Sequence, residues 1–246
     1  MRTKGLNQTL VLIKPDALKN SLTGYVLSLL SEFHTALCFA GTKIVNVNRM
    51  LAEEHYAEHI GQIFYPSIIE YIMGRIHYPD KPQKRRVIAI VYQGPDSVKT
   101  VREIAGPTNP HLARVQKPGC IRSLGTVVPL ENDKGEVIGQ RMDNLIHASA
   151  TDVEAEREIK LWFKPCDIPP FMHAYPAKQS EEYFFYKDNK LLTKYEAGSI
   201  CLLASGDIAW ESDLNALHSI HKGIPSPCSL EAVVAKHLIN DIRENS

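Results

Sequence analysis

The chain has 246 residues, 44% of them hydrophobic and 23% charged, which is enough apolar material for a buried core and an ordinary charge load for a water-soluble chain. Lys plus Arg and Asp plus Glu are both 28, so the formal net charge is zero. That balance excludes a global basic field for DNA, RNA or an anionic membrane, and any phosphate-bearing ligand needs cations gathered locally.

The five cysteines (Cys38, Cys120, Cys166, Cys201, Cys228) are odd in number, widely spaced and without a C-x-x-C pair. They read as reduced thiols in a cytoplasmic compartment, not as a disulfide framework or a zinc site. Arg2 and Lys4 precede an apolar run that stops at Lys14, too short for a secretory leader. Asn20 to Ser31 is too short and too polar to cross a bilayer.

In chain order, Gln8 to Ile13 predicts a strand that Pro15 ends. Residues 21–37 carry Tyr25, Leu29, Leu30, Phe33 and Leu37 at helical spacing. Thr42 to Val47 alternates like a strand, Leu51 to Ile60 and Ser67 to Met73 are helical, Arg86 to Tyr92 is strongly β-prone, and Ser97 to Ile104 is a short helix. Residues 105–125, punctuated by Gly106, Pro107, Pro110, Pro118 and Gly119, read as loop. A short apolar run ends at His147, and Thr151-x-x-Glu154 opens a helix that reaches Phe163. The β-α alternation fits either a parallel doubly wound sheet or a split β-α-β, ferredoxin-like sheet.

Two segments look inserted. Gly74 to Arg85 is polar, with prolines and basic residues; Lys81 to Arg86 reads as a solvated turn. Thr126 to Asp143 carries the turn Asn132-Asp133-Lys134-Gly135 between β-prone pieces and predicts a hairpin. The chain divides into a unit over 1–165 and an extension over 166–246 of mixed α and β character. In the extension, Tyr183 to Leu192 suggests a hairpin and Ile200 to Ala204 a strand. Leu230, Val233, Val234, His237, Leu238 and Ile242 mark an amphipathic closing helix.

The polar outliers form a set suited to phosphate: Lys14 at the end of the first strand, Tyr56, Arg102, Thr108, Arg122, Asn144 and His147. Three cations, a hydroxyl and an amide offer the charge-assisted donors that phosphate oxygens require. No G-x-x-x-x-G-K-[ST] and no G-x-G-x-x-G after a strand is present, so a nucleotide would be held by side chains and not by a glycine cradle. An imidazole is largely neutral at pH 7, its ordinary pKa being about 6.5, and can act as a nucleophile. His55, His59 and His77 show no spacing that argues for a metal.

Six blocks in order resemble the nucleoside diphosphate kinase family: Thr9 to Ala17, His55 to His59, Val98 to Arg102, Gly106 to Pro110, Pro118 to Arg122 and Asn144 to Phe163. The resemblance implies a ferredoxin-like four-stranded antiparallel sheet covered by helices. It implies ping-pong transfer of a γ-phosphate from a nucleoside triphosphate, ATP among them, to a nucleoside diphosphate. His147 matches the phosphorylated histidine and Glu158 the carboxylate that orients its ring. Lys14, Tyr56, Arg102, Thr108, Arg122 and Asn144 match phosphate and ribose contacts, Phe64 matches the aromatic under the base, and Ser149 is a retained neighbour of the histidine. Mg²⁺ would arrive bridged to the nucleotide phosphates, and the family implies a homo-oligomer, with the Pro107/Pro110 loop in subunit contact.

Departures are local. Ala148 and Ala150 stand where the family has Gly and Asp, and Arg141 falls near a position that flanks the base. The alternative to an active enzyme is a nucleotide-binding regulatory or scaffolding module with the same fold. No role with nucleic acid or membrane is expected.

Overall fold

The computed structural model describes residues 7–239. In chain order its strands and helices are β1 (Asn7–Ile13), α1 (Pro15–Lys19), α2 (Thr23–Leu29), α3 (Glu32–Thr35), β2 (Cys38–Val45), α4 (Arg49–His55), α5 (Tyr65–Ile72), β3 (Val87–Gly94), α6 (Ser97–Ala105) and α7 (Pro110–Gln116). There follow β4 (Thr126–Glu131), β5 (Val137–Asp143), β6 (Ile146–Ala148), α8 (Asp152–Trp162), β7 (Ala177–Gln179), β8 (Phe184–Lys187), β9 (Lys190–Leu192), β10 (Ile200–Leu203), β11 (Ile208–Trp210), α9 (Glu211–His221) and α10 (Leu230–Val234).

The main sheet has the order β2-β3-β1-β6, and every neighbouring pair is antiparallel. This is the split β-α-β, ferredoxin-like arrangement, not a doubly wound one. The antiparallel pairing decides between the two, because the continuous apolar run of β1, in which Leu10, Val11, Leu12 and Ile13 are all fully buried, suits either. Leu10 and Leu12 pack with α4, α5 and α8, while Val11 and Ile13 pack with α1, α2 and α6. A strand covered on both faces loses the polar alternation of a one-sided sheet.

Several expectations shift. The stretch 21–37 is two helices, broken between Leu29 and Glu32, where Ser31 caps α3 through its hydroxyl. Phe33, expected on the apolar side, is 99% exposed as a result. The helix over 51–60 ends at His55 and passes into a 3-10 turn at Ala57–His59. The span 105–125 is not all loop: Asn109 caps α7 and Pro110 occupies its first turn, a start signal that the surrounding glycines and prolines obscure. The 126–143 hairpin is present as β4 and β5.

Beyond Phe163, β8 pairs with β9 and β10, and β7 pairs with β11. The β7–β11 pair and α9 have no counterpart in the sequence reading. The closing helix is short, running through α10 into a 3-10 turn at Ala235–His237; Ile242 lies outside the described residues, as do Arg2 and Lys4. The extension has its own apolar cluster around Phe184, Leu202, Leu217 and Val234, yet Trp210 and Ala235 join the core under the main sheet. Trp210 Nε1 donates to the Phe163 carbonyl at 2.7 Å, which caps the end of α8. No helix among the described residues is long and apolar enough to cross a membrane.

Candidate active site

The site forms where β1 and β6 end side by side. The Lys14 backbone N–H donates to the Leu145 carbonyl at 2.9 Å, and Asp16 Oδ2 accepts from the Leu145 N–H at 3.0 Å. Leu145 has φ of 69°, a left-handed conformation that costs a non-glycine residue about 1 kcal/mol or more. These two bonds hold that turn, and with it the direction of Asn144 before it and His147 after it. Lys14 Nζ donates to Asn144 Oδ1 at 2.5 Å, and Asn144 Nδ2 donates to the Thr108 carbonyl at 2.9 Å. Three distant motifs are thereby joined.

Lys14 is buried, and burial foremost pulls its ammonium down to about 8, with the nearby Arg122 charge acting the same way against Asp16 and Asp143. Arg122 is buried as well. Burial, then repulsion from Arg102, lowers its guanidinium to about 10. Two of its nitrogens donate to the carbonyls of Gly106 at 3.0 Å and Ile146 at 3.4 Å, whereas Nε has no partner in the protein. Gly106 must be glycine here: φ is +80°, and a Cβ would strike Cys120 Sγ at 2.2 Å.

His147 sits on β6 opposite Leu12. Its Nε2 lies 2.9 Å from Glu158 Oε2, and the same oxygen accepts from Ser149 Oγ at 2.6 Å. Ser149 is itself fixed, since its hydroxyl accepts from the Leu10 N–H. Burial alone would raise the Glu158 carboxyl, but the charge and hydrogen bond of His147, with His55 and Ser149, outweigh it and hold it at about 2. The carboxylate is therefore ionised at any working pH, and with Nε2 bonded to it the free ring nitrogen is Nδ1.

His55, on α4, packs edge-on against His147 with ring centroids 4.5 Å apart. Burial first, then the His147 charge, keeps it neutral. The ligand atoms of His55, His147 and Glu158 lie within 4.8 Å of one another, a grouping that could in principle hold a metal. His147 Nε2 is bonded to Glu158 and His55 Nδ1 accepts from Trp162 Nε1 at 3.2 Å, while His55 Nε2 has no hydrogen-bond partner. The cluster orients the His147 imidazole.

A cleft of about 330 Å³ opens onto these groups. It brings together Lys14, Tyr56, Phe64, Arg102, Thr108, Arg122, Asn144, His147 and Glu158, every expected site residue but Ser149, which stands behind Glu158. Tyr56 is buried at the end of α4, and burial foremost pushes its phenol up. Phe64 lies at the start of α5, half-buried near the mouth. The wall also contains Glu154, whose Oε2 accepts from the Ala150 N–H at 3.0 Å. A carboxylate one helical turn on thus meets the backbone N–H of Ala150, the residue that stands where the family has an acid. Arg141 is part of the wall too, paired with Asp143. The roles of His55 and of the His77–Asp143 contact escaped the sequence reading, because their partners lie 107 and 66 residues away; Glu154 was read only as a capping residue and Arg141 only as lying near a base-flanking position.

The family model described as nucleoside diphosphate kinase matches residues 7–168. The chain belongs to the nucleoside diphosphate kinase family. A nucleoside diphosphate kinase of Pyrococcus furiosus is 36% identical over 185 residues, covering 75% of this chain and 96% of its own length. One from Staphylococcus haemolyticus is 36% identical over 166 residues, covering 68% and 93%. Among solved structures, the Borrelia burgdorferi nucleoside-diphosphate kinase, a transition-state mimic with bound vanadate and ADP, superposes with a TM-score of 0.51 at 30% identity, over 67% of this chain and 90% of that one. The Aquifex aeolicus nucleoside diphosphate kinase gives 0.52 at 28% identity, over 67% and 99%. As a member of this family the chain is a phosphotransferase that binds nucleoside di- and triphosphates.

Proposed function

We propose that the chain transfers γ-phosphate between nucleotides through a covalent phosphate on His147 Nδ1. The observation that carries this reading is the 2.9 Å contact between His147 Nε2 and Glu158, with buried Lys14 and Arg122 in the same cleft. Glu158 accepts a hydrogen bond from Nε2–H, which keeps that proton on Nε2 and leaves the Nδ1 lone pair free. The new N–P bond forms at Nδ1 as the bond from the γ-phosphorus to the bridging oxygen breaks. That electron pair stays with the departing diphosphate. Positive charge developing on the ring is balanced by Glu158, and negative charge on the phosphates by Lys14, Arg102 and Arg122. The second half-reaction is the same step in reverse, onto a different diphosphate.

Tyr56, Thr108 and Asn144 would orient phosphate and ribose, Phe64 would stack on the base, and Ser149 would hold Glu158. The nucleotide would enter with Mg²⁺, which would supply further neutralisation of phosphate charge beside Lys14, Arg102 and Arg122. This fits a wall whose cations are turned to phosphate and whose Glu158 is already bound by His147 and Ser149. We infer further that residues 1–165 form the kinase unit and 166–246 an extension, and that the chain works in the cytoplasm as a homo-oligomer. Free thiols at all five cysteines and exposed apolar side chains on α7, Leu112 and Val115, support the last two points.

Incubation with γ-labelled ATP tests the reading. An acid-labile phosphate on His147 that chases onto GDP is expected. Nucleotide binding without labelling would instead make the chain a regulatory module. Light scattering of the full chain reads its oligomeric state.

A further inference from the structure

Lys14 carries a compact charge on a flexible four-carbon stem, and one hydrogen bond to Asn144 does not by itself fix where the ammonium points. A bonded carboxylate would fix it, but would also cancel the charge that a phosphate needs. Tyr71 supplies the alternative. Its ring is fully buried on α5, and Lys14 Nζ lies over it, 4.9 Å from the ring centre. An aromatic face attracts a cation without neutralising it, and leaves the remaining N–H groups for a ligand.

Lys14 thus has two holders, Tyr71 and Asn144, and one circuit of side chains secures both. The Tyr71 ring meets the His77 ring with centres 5.2 Å apart. His77 belongs to the first inserted segment, 74–85, and its Nε2 lies 3.0 Å from Asp143 Oδ2. Asp143 closes the second, 126–143, and directly precedes Asn144. Arg141 completes the circuit: its Nε donates to Asp143 Oδ1 at 2.7 Å and a terminal nitrogen to Ser67 Oγ at 3.0 Å. Ser67 stands one helical turn before Tyr71 on α5. His77 Nδ1 is buried without a partner, which costs stability. Packing alone is a poor reason to keep such an imidazole; its ring and its Nε2 are what the site uses.

We propose that His77 and Asp143, one from each inserted segment, are positioning residues that hold the Lys14 ammonium toward the cleft through Tyr71 and Asn144. This rests on the nucleotide reading of the cleft.

A double-mutant cycle on the full chain tests it, with ADP affinity read by calorimetry and the melting midpoint beside it. His77→Ala is expected to lower ADP affinity about 5- to 10-fold in the parent. In a Lys14→Met background the same change is expected to cost less than about two-fold, because the cation it positions is gone. His77→Gln returns a side-chain N–H to Asp143 without the ring. Should His77→Ala fail to fold, the cycle runs with His77→Gln, whose expected losses are about three-fold in the parent and none in Lys14→Met. Equal losses in the two backgrounds overturn the proposal, since His77 would then act without Lys14, and so does an unchanged ADP affinity in the parent background. Absence of phosphate transfer in the parent chain would remove the proposed function instead, while the cycle, which reads binding alone, would still decide the role of His77.

Discussion

Lys14 and Lys236 are both buried ammonium groups, and the chain treats them in opposite ways. Lys236, in the extension, donates to Asp213 Oδ2 at 2.8 Å and to the Val233 carbonyl. Its charge is met inside the protein. Lys14, in the cleft, donates to an amide oxygen, and burial lowers its affinity for a proton. A buried cation matched by a carboxylate belongs to the structure. One hydrogen-bonded to an amide and not to a carboxylate, beside an arginine with an unpartnered Nε, is poised for an anion from outside. The same contrast separates the two regions. The buried cation of the cleft has no carboxylate bonded to it, and Lys236 in the extension has one.

The sharpest way to break this contrast is to remove the proposed phosphate carrier. His147→Ala should fold, since the side chain is not part of either hydrophobic cluster in the main domain. Transfer of labelled phosphate from ATP to GDP should fall by roughly 10⁴-fold or more. Transfer at the parental rate would exclude His147 as carrier.

Next come the two lysines. Lys14→Met removes a buried charge that no carboxylate is bonded to, so we expect stability to rise by about 1–2 kcal/mol while kcat/KM falls by roughly 10²-fold or more. Lys236→Met should do the reverse. It strands Asp213 and costs about 3–5 kcal/mol, with little change in turnover of the folded fraction. Denaturant melts and steady-state kinetics on both variants read the two signs. Two variants shifting alike would dissolve the distinction.

Lys14 also sets a pH dependence. Bound phosphate favours the charged ammonium, so nucleotide affinity depends on Lys14 keeping its proton. In the free protein that proton is lost around pH 8. Nucleotide affinity should be level below that pH and decline above it, and Lys14→Arg should move the decline upward. A flat profile to pH 10 in the parent would show that Lys14 is not the group concerned.

Glu158→Gln sharpens the comparison from the other side of the ring. The amide can still accept from Ser149 and His147 but carries no charge. Self-phosphorylation should slow by about 10- to 100-fold, as for other orienting groups behind a reactive residue. Rapid-quench labelling with ATP measures it, and unchanged kinetics would reduce Glu158 to a packing role.

What could be read in the chain before folding follows the same line. Lys14, Arg102, Arg122, Asn144 and His147 were legible because each sits in a short local motif, and the motifs keep their order. The strands were legible where apolar runs are continuous, as in Val87 to Tyr92. His55 was not, because its meaning depends on Trp162 and Glu158, which reach it only after α4 packs on α8. Arg141 could be placed near a base-flanking position, but its anchors could not be foreseen, since they lie at Ser67 and, through Asp143, at His77. The helix α9 has a weak apolar stripe and follows β11 without a capping side chain, so neither periodicity nor a start signal marks it. Phe33 misled because its spacing suits one long helix that Ser31 interrupts.

The smallest expected effect concerns the join between the regions. Trp210 reaches from the extension to the end of α8, where its N–H meets the Phe163 carbonyl at 2.7 Å. Trp210→Phe keeps most of the buried ring and deletes that donor, leaving a carbonyl unsatisfied. The cost should be about 1–3 kcal/mol, read as a lower melting midpoint. Because α8 also carries Glu158, the kinetic result has two meanings. If KM and the rate of labelling stay at parental values while stability drops, the extension supports the fold without tuning the chemistry. If labelling slows along with the melt, the end of α8 helps set the position of Glu158, and the extension belongs to the active site as much as the strands beneath it.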